Sequence, residues 1–384
     1  MPPVPPPPPR DAPIVAARRI AGSSAFDLVT GTAGTFIAWG APAEDGGGVR
    51  VRELGPLGAA RGNEIDIASG SHAAPGVSEG GPYAVIEVAA ATRGAHVGVA
   101  WTVLAPGGAR AEAAYAAAAP QFAPPVDLGE MEPGVGGRGN VLVASLGDGG
   151  LYVAHRITRG PCHAASGMGS AGTVGCARFA RTQLPGGTDV RGDGASEVAL
   201  PCTPLLPGAI SGTASTDPWF YGVCHVDESP ATTVFVINPN PAGQYAAATD
   251  VLAGCLPRSI ARAESGVIVR ARCGDEDAIA RVDPLGHATH ELRHAGLSVR
   301  CDDGRPTLSA RDHDAQLAHR LTESESRVEA WLPRTIAPEG SRAVWTGEAL
   351  LVATSIGSSA APEVSLRRYQ CRGAELARTS LPPY

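Results

Sequence analysis

Seven short apolar strands recur along this chain, each entered from a tight turn and each closing on a small residue followed by a large or polar one. In order they read TFIAW to Trp39, VGVAW to Trp101, LYVAH to His155, FYGVC to Cys224, IVRAR to Arg272, TLSAR to Arg311 and LLVAT to Thr354. The small residue (Ala38, Ala100, Ala154, Val223, Ala271, Ala310, Ala353) returns every 39 to 69 residues. Gly34, Gly94, Gly150, Gly266, Gly304 and Gly347 precede it in six units, and Asp217-Pro218 in the other. Such residues suit tight turns because they supply positive or pre-set φ values. Self-similarity at a period of this order is the signature of a repeat architecture.

A third strand follows in several units and often finishes in Gly, as in VRVRELGPLG (49–58), VFVINPNPAG (234–243), AIARVDPLG (278–286) and SLRRYQCRG (365–373). A more polar fourth follows, as in ATHELRHAG (288–296) and RVEAWLP (327–333). Four short strands per unit without helical periodicity predict an antiparallel blade. Seven blades in a ring remove long exposed sheet edges. The expected fold is therefore all-β, a seven-bladed β-propeller of four-stranded antiparallel blades. PIVAARRIAG (13–22) reads as an outer strand that pairs with the last blade and closes the single ring by joining the termini. Residues 13–384 are expected to form one domain. The start, MPPVPPPPPRDAP, reads as a polyproline spacer over residues 1–12, disordered and solvated.

A Gly turn, an apolar strand ending in Ala-Trp, and then R-V-x-P-x-G resembles the repeat of secreted bacterial β-propellers. The matching stretches are Gly34 to Trp39, Gly94 to Trp101, and Arg281 to Gly286, and blades three and four depart through longer loops. The resemblance implies a fold and an export route, with no reaction and no catalytic residue.

Composition narrows the chemistry. The chain has 384 residues with 49 Gly and 34 Pro, which fits many turns between short strands. All 31 basic residues are arginine, so a Schiff-base lysine, a Walker lysine and a lysine general base are excluded. A net charge of -7 and a pI of about 5.8 argue against a nucleic-acid partner. No run approaches the roughly 18 apolar residues of a transmembrane helix. The proline-rich start either follows a removed export signal or lipid anchor, and so tethers the protein to a membrane, or is an inconsequential tail.

The eight cysteines can be placed on the repeat. Cys202 and Cys224, and likewise Cys255 and Cys273, flank hairpins of consecutive blades and would face each other across the first two strands. Cys162 and Cys176 bracket GMGSAG in the long third-blade loop, and Cys301 and Cys371 pair by elimination. Four disulfides imply an oxidising compartment: secreted, periplasmic or cell-surface. A structural metal site would want CxxC or Cys/His clusters, which do not occur.

The loops after the second strands share the propeller face that usually carries ligands. Candidate binding residues are Trp39, Trp101, His155, Arg156, His225, Asp227, Arg272, Asp275, Arg311, Asp312, His313 and Asp314. As a rim they mix aromatic, cationic and acidic groups suited to a sugar, peptide or partner loop; singly, Trp and Arg also wedge between blades and Asp forms turns. Asp275-Glu276-Asp277 and Asp312-His313-Asp314 offer hard oxygens that suit Ca²⁺, but at unequal offsets from their markers, so they read as solvated turns. No other metal or cofactor is expected. His287, His290 and His294 read as exposed outer-strand residues, because His290 and His294 stand about 13 Å apart along a strand. Arg191-Gly192-Asp193 lies in a Gly-rich loop that produces such a tripeptide easily. No G-x-S-x-G, H-E-x-x-H or P-loop is present. The expectation is an exported, non-enzymatic module that binds a protein or glycan through the loop-bearing face. The alternative is a propeller glycoside hydrolase or polysaccharide lyase, which needs carboxylates converging at the central channel.

Overall fold

The computed structural model describes residues 14–15, 25–41, 48–68, 84–105, 108–116, 121–131, 142–147, 150–159, 175–183, 196–200, 204–209, 220–225, 232–237, 245–263, 266–283, 286–313, 315–321, 327–358 and 361–379. These residues form antiparallel sheets that follow one another along the chain. Five are four-stranded, built from strands within 26–68, 84–131, 142–200, 204–251 and 256–292. A sixth, within 296–320, has three strands, and the last, within 342–379, has five because Ile14–Val15 joins it. Every one of the repeat strands read from the sequence is the second strand of its sheet.

Packing of the innermost strands makes this a β-propeller. Phe26–Gly31 lies against Ala84–Arg93, which lies against Leu142–Gly147. Pro204–Ala209 and then Leu256–Ala263 follow in the same way. Leu256–Ala263 next meets the 3-10 turn Glu329–Trp331. That turn touches Arg342–Trp345, which closes on Phe26–Gly31. The sixth sheet's first strand, Gly296–Asp302, packs instead against Glu375–Thr379 on the outside of the last sheet.

Two sequence expectations are corrected here. The described residues form five four-stranded blades, not seven. RVEAWLP (327–333) is not an outer strand: it holds the inward turn Glu329–Trp331. Pro333 cannot donate to a strand ladder, and its carbonyl accepts the amides of Ile336 and Ala337 instead. Val328, Ala330, Trp331 and Leu332 are all buried, which a strand with one wet face would not allow. At the other end of the chain, Ile14–Val15 pairs antiparallel with Val364 and Glu363 of Ala361–Arg372, beside Glu375–Thr379 on the same edge. The remainder of 13–22 and the spacer 1–12 lie outside the described residues.

The core is built between sheets rather than within one. Trp39 packs with Phe26, Leu28 and Ile37 against Val344 and Leu351 of the last sheet. Trp101 packs with Val97 and Val99 against Val29, Phe36 and Ala38 of the first. Trp331 and Trp345 anchor a third cluster joining the last three sheets. Burying such aromatics is worth several kcal/mol each, since Trp→Ala in a core costs about 3–5 kcal/mol. The turn glycines are required by shape. At Gly266, φ is 127° and an added Cβ would lie 1.9 Å from the Val282 carbonyl oxygen.

A buried charge spans the seam where the first and last sheets meet. Asp27 is fully buried on the first inner strand. Its Oδ1 accepts the Leu28 amide at 2.9 Å, and its Oδ2 accepts the Ala90 amide of the neighbouring inner strand at 2.8 Å. Arg327 donates to Oδ2, and Arg342 Nε lies 3.4 Å from Oδ1. Glu329, also buried, accepts the Ala343 amide at 3.3 Å. Burial pushes the Glu329 carboxyl above its ordinary pKa, against the pull of Arg327 and Arg342.

Two disulfides fall within the described residues, as paired from the sequence. Cys255–Cys273 ties the residue preceding Leu256–Ala263 to the end of the neighbouring strand Gly266–Cys273, and Cys301–Cys371 joins the sixth sheet to the last. The Cys301 amide also donates to the Ala374 carbonyl. Cys162 and Cys202 lie outside the described residues, and with them the Cys162–Cys176 and Cys202–Cys224 pairings.

Two measurements check these closures. Asp27→Asn should lower the unfolding free energy by about 3–5 kcal/mol, because it removes the buried charge that the half-buried Arg327 and Arg342 face; a loss below about 1 kcal/mol in denaturant melts would contradict the clamp. Cys301 and Cys371 are separated by 70 residues. The Cys301→Ser/Cys371→Ser double variant should therefore lose about 4 kcal/mol in the chain-entropy account, and an unchanged melt would remove the tether.

Candidate functional site

The sixth sheet differs from its neighbours in how its residues alternate. Gly296–Asp302 places Leu297, Val299 and Cys301 inward and Ser298, Arg300 and Asp302 in solvent. Arg305–Arg311 buries Pro306, Leu308 and Ala310 and exposes Arg305 and Arg311, with Thr307 and Ser309 half-buried on that face. The inner face rests on the turn around Trp331, where His319 stacks on the indole with ring centroids 5.2 Å apart. By contrast, Gly266–Cys273 of the fifth sheet is buried on both faces from Gly266 to Ala271.

Register sets out the exposed face in rows, since cross-strand partners share a face. Gly296, Arg311 and Gln316 form one row, and Ser298, Ser309 and Ala318 the next. Arg300, Thr307 and Arg320 form a third. The middle row is a floor of small side chains, with the Ser298 and Ser309 hydroxyls 2.7 Å apart. The guanidinium of Arg311 donates to Gln316 Oε1 at 3.0 Å. Over this face opens a cleft of about 650 Å³, with His294, Asp312 and His313 at its rim.

That rim is held by short-range hydrogen bonds. Asp312 Oδ1 accepts the His313 amide at 2.6 Å, and Oδ2 accepts the amides of Arg293 and His294 at 3.3 and 3.4 Å. These bonds, led by the one from His313, hold the Asp312 carboxyl below its ordinary pKa. His294 Nδ1 pairs with Glu276, and that bond with its charge raises the imidazole pKa above 6.5. His294 thus lies beyond the outer strand Ala288–Leu292, in the link to the next sheet, and is not an outer-strand residue as the sequence suggested.

The sequence-predicted residues divide. Arg311, Asp312 and His313 come together at the cleft with His294, which sequence reasoning had set aside. Arg272 and Asp275 come together only with each other across the Gly274 turn, at 2.7 Å. Trp39 and Trp101 are corrected: both are buried between sheets, and Trp101 Nε1 donates to Glu112 at 2.8 Å. His155, Arg156 and His225 lie on strands Gly150–Arg159 and Phe220–His225, with their side chains outside the described structure. Asp227, Asp314 and the Arg191-Gly192-Asp193 tripeptide lie outside the described residues. In the other acidic loop, Asp275 pairs with Arg272, Glu276 with His294, and Asp277 with Arg270 and Arg334. Sequence reasoning missed Ser298, Arg300, Ser309 and Gln316. Their signal was present as strict apolar–polar alternation in GLSVRCD and RPTLSAR, the mark of a strand with one wet face.

No protein-family model matches the chain, and no curated protein matches it. Among solved structures, Trypanosoma rangeli sialidase aligns with 93% of this chain at 11% identity, with a TM-score of 0.39. A mutant of that sialidase displaying trans-sialidase activity aligns with 94% at 10% identity, with a TM-score of 0.43. The chain spans 55% and 57% of their respective lengths.

Because the folded pKa of His294 is raised, its pair with Glu276 favours folding fully below pH 6.5, and that contribution is lost as pH rises through the folded value. An NMR titration of His294 should give a midpoint above 6.5 that Glu276→Gln returns toward 6.5. A wild-type midpoint at or below 6.5 would contradict the pairing.

Proposed function

We propose that this chain is an exported, non-enzymatic binding propeller that recognises a protein or glycan in the cleft over its sixth sheet. The observation that carries the reading is that cleft: an open concavity, lined mostly by polar side chains, on a sheet face exposed to solvent. Serine and threonine hydroxyls, a glutamine amide and guanidinium groups converge there, a set that orients a polar ligand by hydrogen bonds. Export is supported by the Cys255–Cys273 and Cys301–Cys371 disulfides.

Binding is favoured over glycoside hydrolysis by the state of the carboxylates. Hydrolysis uses two carboxyl groups about 5–9.5 Å apart on either side of a sugar. Asp27, Glu87 and Glu329 on the inner elements are buried, and Asp27 and Glu329 already serve backbone amides and arginines. At the cleft, Asp312 accepts three backbone amides that depress its pKa, which makes its carboxylate a weak base and leaves it without a proton to donate.

Ser309→Trp, which fills the floor, tests the reading. Probes retained by the wild-type chain on glycan and peptide arrays should bind the variant at least about tenfold more weakly, with an unchanged melting curve. Binding indifferent to the substitution, or turnover of a bound probe, contradicts the proposal.

A further inference from the structure

The geometry points to an acidic saccharide, an oligosaccharide bearing carboxylate or sulfate groups, as the ligand of this cleft; the inference rests on the binding reading above. Two guanidinium groups mark the ends of the floor. Arg311 stands opposite Gly296, and Arg300 lies four residues further along the same strand. The two positions are therefore separated by about 13 Å along the strand direction. Between them lie Ser298, Ser309 and Ala318, and beside them Thr307 and Gln316.

The guanidinium groups are available. Arg300 and Arg305 have no carboxylate partner among the described residues, and Arg311 is bonded to the neutral Gln316. Elsewhere in this acidic chain, Arg50, Arg52, Arg110, Arg258, Arg270, Arg327 and Arg342 are all paired with Asp or Glu. The charges facing the cleft include anions as well. Asp302 stands opposite Arg305 at the far end of the sheet, Asp303 lies 3.8 Å from Arg320, and Asp312 is at the rim. Asp312 is covered by three amide donors, and Glu276 is turned to His294. What remains open toward a ligand is Arg300 and Arg311, two guanidinium cations on a chain of net charge -7.

The floor distinguishes a saccharide from an acidic peptide. Protein interfaces bury an apolar or aromatic centre, whereas the lining here has no aromatic side chain other than the rim histidines, and its apolar side chains are only Leu297 and Ala318. Hydroxyl and amide groups match sugar hydroxyls, and guanidinium groups hold carboxylate or sulfate through paired, charge-assisted hydrogen bonds. An extended acidic glycan would lie along the strands, with one anionic group at each arginine.

Biolayer interferometry on the full, disulfide-bonded chain tests this with four probes: polygalacturonate, chondroitin sulfate, neutral dextran and polyglutamate. The expected result is retention of polygalacturonate, chondroitin sulfate or both, whichever anionic group the arginines accept, weakening as salt is raised. Arg300→Gln and Arg311→Gln should each reduce that affinity by about tenfold and flatten its salt dependence, with unchanged melting curves. Dextran or polyglutamate bound as tightly as either acidic glycan overturns the inference, as does no binding of the acidic glycans or insensitivity to both substitutions. Dextran or polyglutamate binding that is lost on Ser309→Trp would leave the cleft as a binding site and remove only its acidic-sugar ligand.

Discussion

One buried carboxylate holds the ring's seam. Asp27 accepts the amide of Leu28 on its own strand and of Ala90 on the next, and meets Arg327 and Arg342 from the far end of the chain. A charge without water is tolerated only where protein donors replace every lost contact. This constraint fixes the relative placement of three inner elements more sharply than apolar packing does, because apolar surfaces slide and ion pairs do not. The large side chains then fill space already defined: Trp39 where the last sheet meets the first, and Trp101 where the first meets the second.

The same seam shapes the candidate site. Arg327 reaches Asp27 only because residues 327–333 turn inward, and the turn Glu329–Trp331 occupies the place of an inner strand between Leu256–Ala263 and Arg342–Trp345. The sixth sheet is thereby displaced outward, resting one face on Trp331 and His319 and tied to the last sheet by Cys301–Cys371. A sheet packed on both faces has no surface to offer. Displaced, this one keeps Ser298, Arg300, Ser309 and Arg311 in reach of solvent. Ring closure and an accessible polar face are thus two consequences of one local departure from the repeat.

Much of the fold was legible in the sequence, because the second strands of the first, second, fifth and last sheets are buried on both faces over most of their length and read as apolar runs after a turn. FIAW and VIVRA announce themselves in this way, and Gly266 cannot be replaced without striking the Val282 carbonyl. Cys255–Cys273 followed from hairpin spacing and Cys301–Cys371 by elimination. What sequence reasoning could not see was the interruption. RVEAWLP has the polarity of an outer strand, and only burial of Glu329 beside Arg327 and Arg342 reveals an inward turn. Trp39 and Trp101 drew attention as rim aromatics because they end strands, yet a large ring at a strand end serves equally as a wedge between sheets. His294 was hidden for a related reason: its partner Glu276 lies 18 residues earlier, a pairing that only the fold creates.

The central claim, that a buried charge welds the two ends of the chain into one cooperative ring, is tested most directly by native-state hydrogen exchange of the Ala90 amide, the donor to Asp27 across the first two inner strands. If the claim holds, this amide exchanges only through global unfolding, with the same opening free energy as the Leu28 amide. Exchange of Ala90 through a local opening, at a free energy well below that of Leu28, would contradict it.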